Sequence, residues 1–102
     1  MLSFRVIRCE LASAYRRFCL IINLFEKGDP SISRDNVESA MRTVDYMNLV
    51  IDMLDETSKM ILRKELIENA DRNWYYEFFS KKSYERAAKK AYNLYVSELN
   101  NR

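Results

Sequence analysis

A single glycine and a single proline serve the whole 102-residue chain, and they stand two positions apart, at Gly28 and Pro30. Sheets built from hairpins need turn-forming residues at each reversal, so a chain this poor in them reads as all-α. The run Lys27-Gly28-Asp29-Pro30-Ser31 is then its clearest break. Glycine suits a helix C-terminal cap, and proline just beyond it prevents the helix from continuing. With 48% hydrophobic residues, the chain closes a modest core, and one compact domain is expected.

On either side of that break the apolar residues follow a heptad. Phe4, Leu11, Phe18 and Phe25 recur every seven positions with Ile7, Ala14 and Ile21 interleaved, which predicts a helix over about 2–26. Ser33 is a candidate N-cap for a second helix, with Asp35 and Glu38 in its opening turns, where the helix dipole favours negative charge. Val37, Val44 and Ile51 alternate there with Ala40, Met47 and Leu54 in a second seam. Two such helices joined by a short loop form an antiparallel hairpin over 1–54.

Residues 55–102 predict a compact three-helix unit of helix-turn-helix type. Asp55 or Thr57 caps a helix through about residue 68 with Met60, Ile61, Leu62, Leu66 and Ile67 on a broad apolar face. The loop 69–73 leads into a short aromatic segment, Trp74-Tyr75-Tyr76-Glu77-Phe78-Phe79, whose rings are mostly core because they cannot all point outward. Ser80 caps a last helix to about residue 99. No internal repeat is present.

Several function classes lose their ground at this point. No apolar run approaches the roughly 20 residues of a membrane span, and charges occupy the N-terminus where a signal peptide has its apolar core, so a cytoplasmic protein away from membranes is expected. Cys9 and Cys19 are ten positions apart on one helix, about 15 Å of rise, beyond disulfide reach, and read as buried reduced thiols. The chain has no histidine, hence neither the commonest general base nor a zinc ligand set, and one glycine builds no phosphate loop. Asp52, Asp55 and Glu56 cluster near a helix junction and read as caps and dipole partners. No catalysis, metal or cofactor is expected.

The net charge of +2 hides an asymmetry. Residues 1–56 carry seven Lys and Arg against nine Asp and Glu, whereas 57–102 carry ten against six. In the last helix Tyr84, Ala87, Ala88, Ala91, Tyr95 and Leu99 share one face by spacings of three and four, and Lys82, Arg86, Lys89 and Asn93 line the other, flanked by Lys81, Glu85 and Lys90. Small alanines permit close packing; the basic stripe stays outside, as a recognition helix presents its side chains to a major groove. The candidate DNA-binding residues are Lys81, Lys82, Ser83, Glu85, Arg86, Lys89 and Lys90: the cations for phosphates and guanine edges, Ser83 for hydrogen bonds, and Glu85 as acceptor from cytosine or partner of Lys81 or Lys89. A lysine-rich outer face is also what an ordinary solvated helix presents.

The segment Leu54-Asp55-Glu56-Thr57-Ser58-Lys59-Met60-Ile61-Leu62-Arg63, followed by residues 74–86 and Lys89-Lys90-Ala91, resembles region four of RNA-polymerase sigma factors and, more closely, the ArpU-type phage regulators of late transcription. The resemblance covers about 54–98. It implies that Lys81, Lys82, Ser83, Glu85 and Arg86 sit at the DNA-reading end and that Tyr84 and Ala88 hold the helix down. Duplex DNA is the implied partner, with RNA polymerase a second. Near the bend, Tyr76 and Phe79 stand where the family pattern has Ala and Gly.

Two functions are therefore expected as alternatives. One is a small sigma-like DNA-binding transcriptional regulator; the other is a non-enzymatic helical-bundle interaction module, self-associating as a homodimer through helices 1 and 2 or binding a partner protein.

Overall fold

The computed structural model describes residues 3–101, and all of its regular structure is helical. α1 spans Phe4–Glu26, α2 Arg34–Asp52, α3 Glu56–Leu62 and α4 Lys81–Asn100. α3 continues into a π-helical turn, Arg63–Ile67, and a single 3-10 turn, Trp74–Glu77, precedes α4. The expected start of the first helix at residue 2 lies outside the described residues.

Each helix begins where a short polar side chain can accept an orphan amide. Ser3, Ser33, Asp55 and Ser80 accept from the backbone N–H of Val6, Asn36, Ser58 and Ser83. α1 ends in a Schellman motif: Asp29 N–H donates to Leu24 O at 3.0 Å and Gly28 N–H to Phe25 O at 2.9 Å. Gly28 has φ +84°, the left-handed conformation that this motif requires and glycine adopts freely. Among the described residues the other with positive φ is Asn69 at +49°, which ends the π turn, where Ala70 N–H reaches back to Lys64 O at 2.8 Å.

α1 and α2 pack as a hairpin, with Tyr15 OH donating to Asn48 Oδ1 at 3.1 Å. The shared core is centred elsewhere. Val50 and Ile51 of α2, Ile61 and Leu62 of α3, Leu66, and Ala88, Ala91, Tyr92 and Tyr95 of α4 are buried together. α1 lies along the edge and contributes Tyr15 alone as a fully buried residue. Its heptad seam is only half-buried, and Phe25 is 36% exposed. In a straight helix a strict seven-residue repeat drifts by about 20° per heptad, so Phe25 has turned about 60° away from Phe4. Cys9, expected to be buried, is exposed because it sits about 120° around the helix from Tyr15. Cys19 is half-buried, and both thiols are free. Ile67 is 38% exposed: the wider π turn keeps Leu66 on the core and carries Ile67 outward.

One carboxylate ties the C-terminal half together. Glu65, four residues after Ile61 and so on the core side of its helix, accepts from Trp74 Nε1 at 3.0 Å, from Tyr92 OH at 2.7 Å and from Tyr84 OH. Arg8 of α1 donates in turn to Tyr84 OH at 3.3 Å. Burial pushes the Tyr84 and Tyr92 phenols well above their ordinary range, and the neighbouring Glu65 charge pushes them further the same way. Both therefore stay protonated and donate.

Two outcomes follow for stability. Glu65→Ala strands three donors, one of them on fully buried Tyr92, and lowers unfolding free energy by about 3 kcal/mol, against about 1 kcal/mol for Tyr92→Phe. Urea unfolding followed by Trp74 fluorescence checks this; equal losses would show that the donors do not depend on a common acceptor. Asp55 is held below its usual pKa, chiefly by the Ser58 backbone N–H. A depressed carboxylate stabilises the fold above its unfolded pKa, so Asp55→Ala costs about 1 kcal/mol at pH 7. That difference shrinks as pH falls below about 4 toward the lowered folded value, which thermal melts across pH 7 to 2 will read.

Candidate nucleic-acid interface

α4 is built so that its two faces have different work. Tyr84, Ala88, Ala91, Tyr92 and Tyr95 turn inward; the alanines let the backbone approach α3 closely, and the tyrosines reach hydrogen-bond partners across the gaps. Tyr95 OH donates to Met47 O at 3.2 Å. Tyr92 was absent from the face read by spacing, because it lies at the edge of that stripe; it is nonetheless completely buried. At the far end Tyr46 OH donates to Leu99 O at 3.0 Å, which ties α2 to the last turn.

The outward face carries the candidate residues. Lys81, Lys82, Ser83, Arg86, Lys89 and Lys90 are all exposed. Among the described residues, none of these five cations has a carboxylate within 4.0 Å; the ion pairs belong to Lys59 with Glu56, Arg63 with Asp52 and Lys64 with Glu68. Arg86 and Lys90 line a groove of about 320 Å³ against Asp55 and Ser58 at the start of α3. Lys89 Nζ lies 5.9 Å from the centroid of the Phe4 ring, and the Arg8 guanidinium lies 5.9 Å from the same ring. The basic face thus passes from α4 across Phe4 to α1.

Two candidates behave differently from the sequence expectation. Ser83 donates its backbone N–H to Ser80 Oγ and its own hydroxyl oxygen accepts from that Oγ, so its side chain joins the cap. Glu85 is half-buried and pairs with neither Lys81 nor Lys89; its charge acts on Tyr75 and helps hold that phenol's pKa up, after burial and the Tyr76 contact. The acidic residues near the α2–α3 junction are each engaged, Asp52 with Arg63, Asp55 with Ser58 and Glu56 with Lys59.

The middle member of the C-terminal trio is one turn. Tyr75 stacks on Tyr84 with centroids 3.8 Å apart and planes 9° from parallel. Trp74 meets Tyr75, Phe79 and Tyr84 edge to face. Tyr76 and Phe78 are 62% and 56% exposed, so two rings stand in solvent just before the basic helix. The bend lacks glycine because its backbone never needs one: φ is −115° at Phe78, and no residue between Asn69 and α4 has positive φ.

Sequence reading missed Glu65, Arg8 and the exposed pair Tyr76 and Phe78. The signal for Glu65 was a carboxylate in step with Ile61 on an otherwise apolar face. Arg8 carried no such signal, since its partner Tyr84 is 76 positions away.

Among the described residues no helix is long and apolar enough to cross a membrane. Comparison with protein-family models, with curated proteins and with solved structures finds no match to this chain.

Proposed function

We propose that the protein binds duplex DNA through the outer face of α4, as a small transcriptional regulator of the sigma-like kind its C-terminal half resembles. The observation that carries this reading is the set of cations on one exposed face, Lys81, Lys82, Arg86, Lys89 and Lys90, with no carboxylate within 4.0 Å of any of them among the described residues. Unpaired lysine and arginine can exchange their counterions for phosphates, which is the main source of affinity in such complexes. The inner face of the same helix is anchored by Tyr84, Tyr92 and Tyr95, so the cations are presented from a fixed support. Exposed Tyr76 and Phe78 add apolar surface beside the helix N-terminus for contact with sugars or bases.

A second reading rests on a different surface. Leu20 on α1 and Leu49 on α2 are 54% and 55% exposed, and Met41 is 47% exposed. Exposed apolar side chains on both hairpin helices suit a second copy of the chain packing there, and a dimer would also present two α4 helices to a palindromic site.

Fluorescence anisotropy with a labelled duplex checks the first reading. Binding at low salt is expected, with affinity falling as salt rises. Lys82→Ala with Arg86→Ala weakens binding about tenfold or more and lowers the log–log salt slope by about 2. Lys64→Ala, which removes a cation already paired with Glu68, leaves it nearly unchanged. Absence of duplex binding at low salt would sink the proposal. Sedimentation gives the second reading its own answer: a Leu20→Glu, Leu49→Glu variant shifts a dimer to monomer, and a wild-type monomer at all concentrations removes it.

A further inference from the structure

A cleft of about 430 Å³ opens between α1 and the segment that follows the π turn, with no α4 residue in its lining. Arg8 and Arg16 line it from α1, about 12 Å apart in helix rise, and Arg72 and Trp74 line it from the opposite side. Ala12 and Ser13 lie between the two α1 arginines, and their small side chains leave the space open. Its volume falls within the range of small-ligand sites.

The charges in this cleft are poorly balanced. Three arginines face two carboxylates there, Glu65 and Asp71; the Glu65 oxygens already accept from Trp74, Tyr84 and Tyr92, and Asp71 makes no ion pair within 4.0 Å among the described residues. Arg8 gives one hydrogen bond to Tyr84 OH, and Arg16 gives one, at 3.3 Å, to Asn69 Oδ1. Each guanidinium has five donors, so most remain free. Among the described residues none of Arg8, Arg16 and Arg72 has a carboxylate within 4.0 Å. Arginines on two walls of one cleft suit an oxyanion, which accepts planar paired hydrogen bonds from arginine.

We infer that this cleft is a binding site for a small molecule bearing oxyanion groups of the phosphate or carboxylate type, held between Arg8 and Arg16 on α1 and Arg72 on the opposite wall. The site goes beyond the proposed DNA-binding face and uses none of its five α4 cations; Arg8, which shares the Phe4 ring with Lys89, is where the two surfaces meet. A bound anion bridges α1 to the 68–73 segment, and that segment leads directly into the aromatic turn before α4. Ligand binding and the setting of α4 are therefore mechanically adjacent.

Trp74 is the chain's one tryptophan and lines the cleft, so its fluorescence reports occupancy directly. The intact protein is titrated separately with pyrophosphate, with citrate and with sodium chloride at matched ionic strength. A saturable change with pyrophosphate or citrate, with Kd below about 1 mM and no equivalent in chloride, is expected; whichever probe binds tells phosphate from carboxylate preference. Arg72→Ala and Arg16→Ala each raise Kd about tenfold or more, with melting temperatures in the absence of ligand confirming that both variants fold. Lys82→Ala with Arg86→Ala leaves this titration unchanged, which separates the site from the DNA-binding face. A response no larger than that of chloride, or one that survives both cleft substitutions, overturns the inference. So does a response to duplex DNA alone that Arg72→Ala abolishes, because the cleft would then hold backbone phosphate.

Discussion

Glu65 is a carboxylate placed where the helix pattern calls for an apolar residue, and the arrangement of the C-terminal half follows from how it is satisfied. A half-buried carboxylate must find donors or carry a large desolvation cost. Here the donors come from three separate places: Trp74 in the 3-10 turn and Tyr84 and Tyr92 two turns apart on α4. The acceptor therefore fixes the rotation of α4 about its axis as well as its distance from α3. Arg8, hydrogen-bonded to Tyr84, extends the same network to α1. A purely apolar contact between α3 and α4 would tolerate sliding; this one specifies a register.

The π turn at Arg63–Ile67 belongs to the same arrangement. Its i→i+5 bond, Glu68 N–H to Arg63 O at 2.8 Å, widens the helix where Glu65 and Leu66 must both face inward, one toward the phenols and the other toward the apolar core. Such turns are uncommon and cluster at functional sites. In this chain the turn also leads through Asn69 to the segment bearing Arg72 and Trp74, so a local irregularity determines where the cleft opens.

How much of this could be read from the residues differs by element. The caps at Ser33 and Ser80 and the Gly28 terminus are local, governed by side chains within three positions of the amides they serve, and were legible; Asp55 was one of two candidates for its cap, and the Ser3 cap was not read because the first helix was expected from about residue 2. The α2 seam was legible because both sides of it are covered. The α1 seam misled: its apolar period is regular, but α1 lies at the edge of the core, and periodicity reports which face is apolar without reporting whether anything covers it. The Glu65 network was out of reach because its members are 9, 19 and 27 positions apart, and no local rule joins them. For the candidate interface, the exposed lysines could be read from spacing. That Ser83 joins the cap and that Glu85 pairs with neither Lys81 nor Lys89 could not, since both depend on the geometry at the start of α4.

The charge order of α4 bears on why its cations are there at all. Helix dipoles favour acids in the first turn, and α2 and α3 conform with Asp35 and Glu56. α4 has no acid in its first turn and no base in its last; it opens instead with Lys81 and Lys82. Each lysine so placed opposes the dipole by about 0.3–1 kcal/mol at low ionic strength. A helix whose lysines served only solubility would lose nothing by carrying them at its C-terminal end, where Ser97 and Asn100 stand. Concentrating positive charge at the end that already bears a partial positive charge lowers the stability of the free protein and raises its attraction for an anion. The opposing cost is met by the rigid inner face, since the hydrogen bonds of Tyr84 and Tyr92 to Glu65 hold the first half of α4 in place. The stabilising acid therefore acts on α4 from inside the fold, through tyrosine hydroxyls, while on the outer surface at the same end Asp55 lies across the groove from Arg86 and Lys90 without an ion pair within 4.0 Å among the described residues.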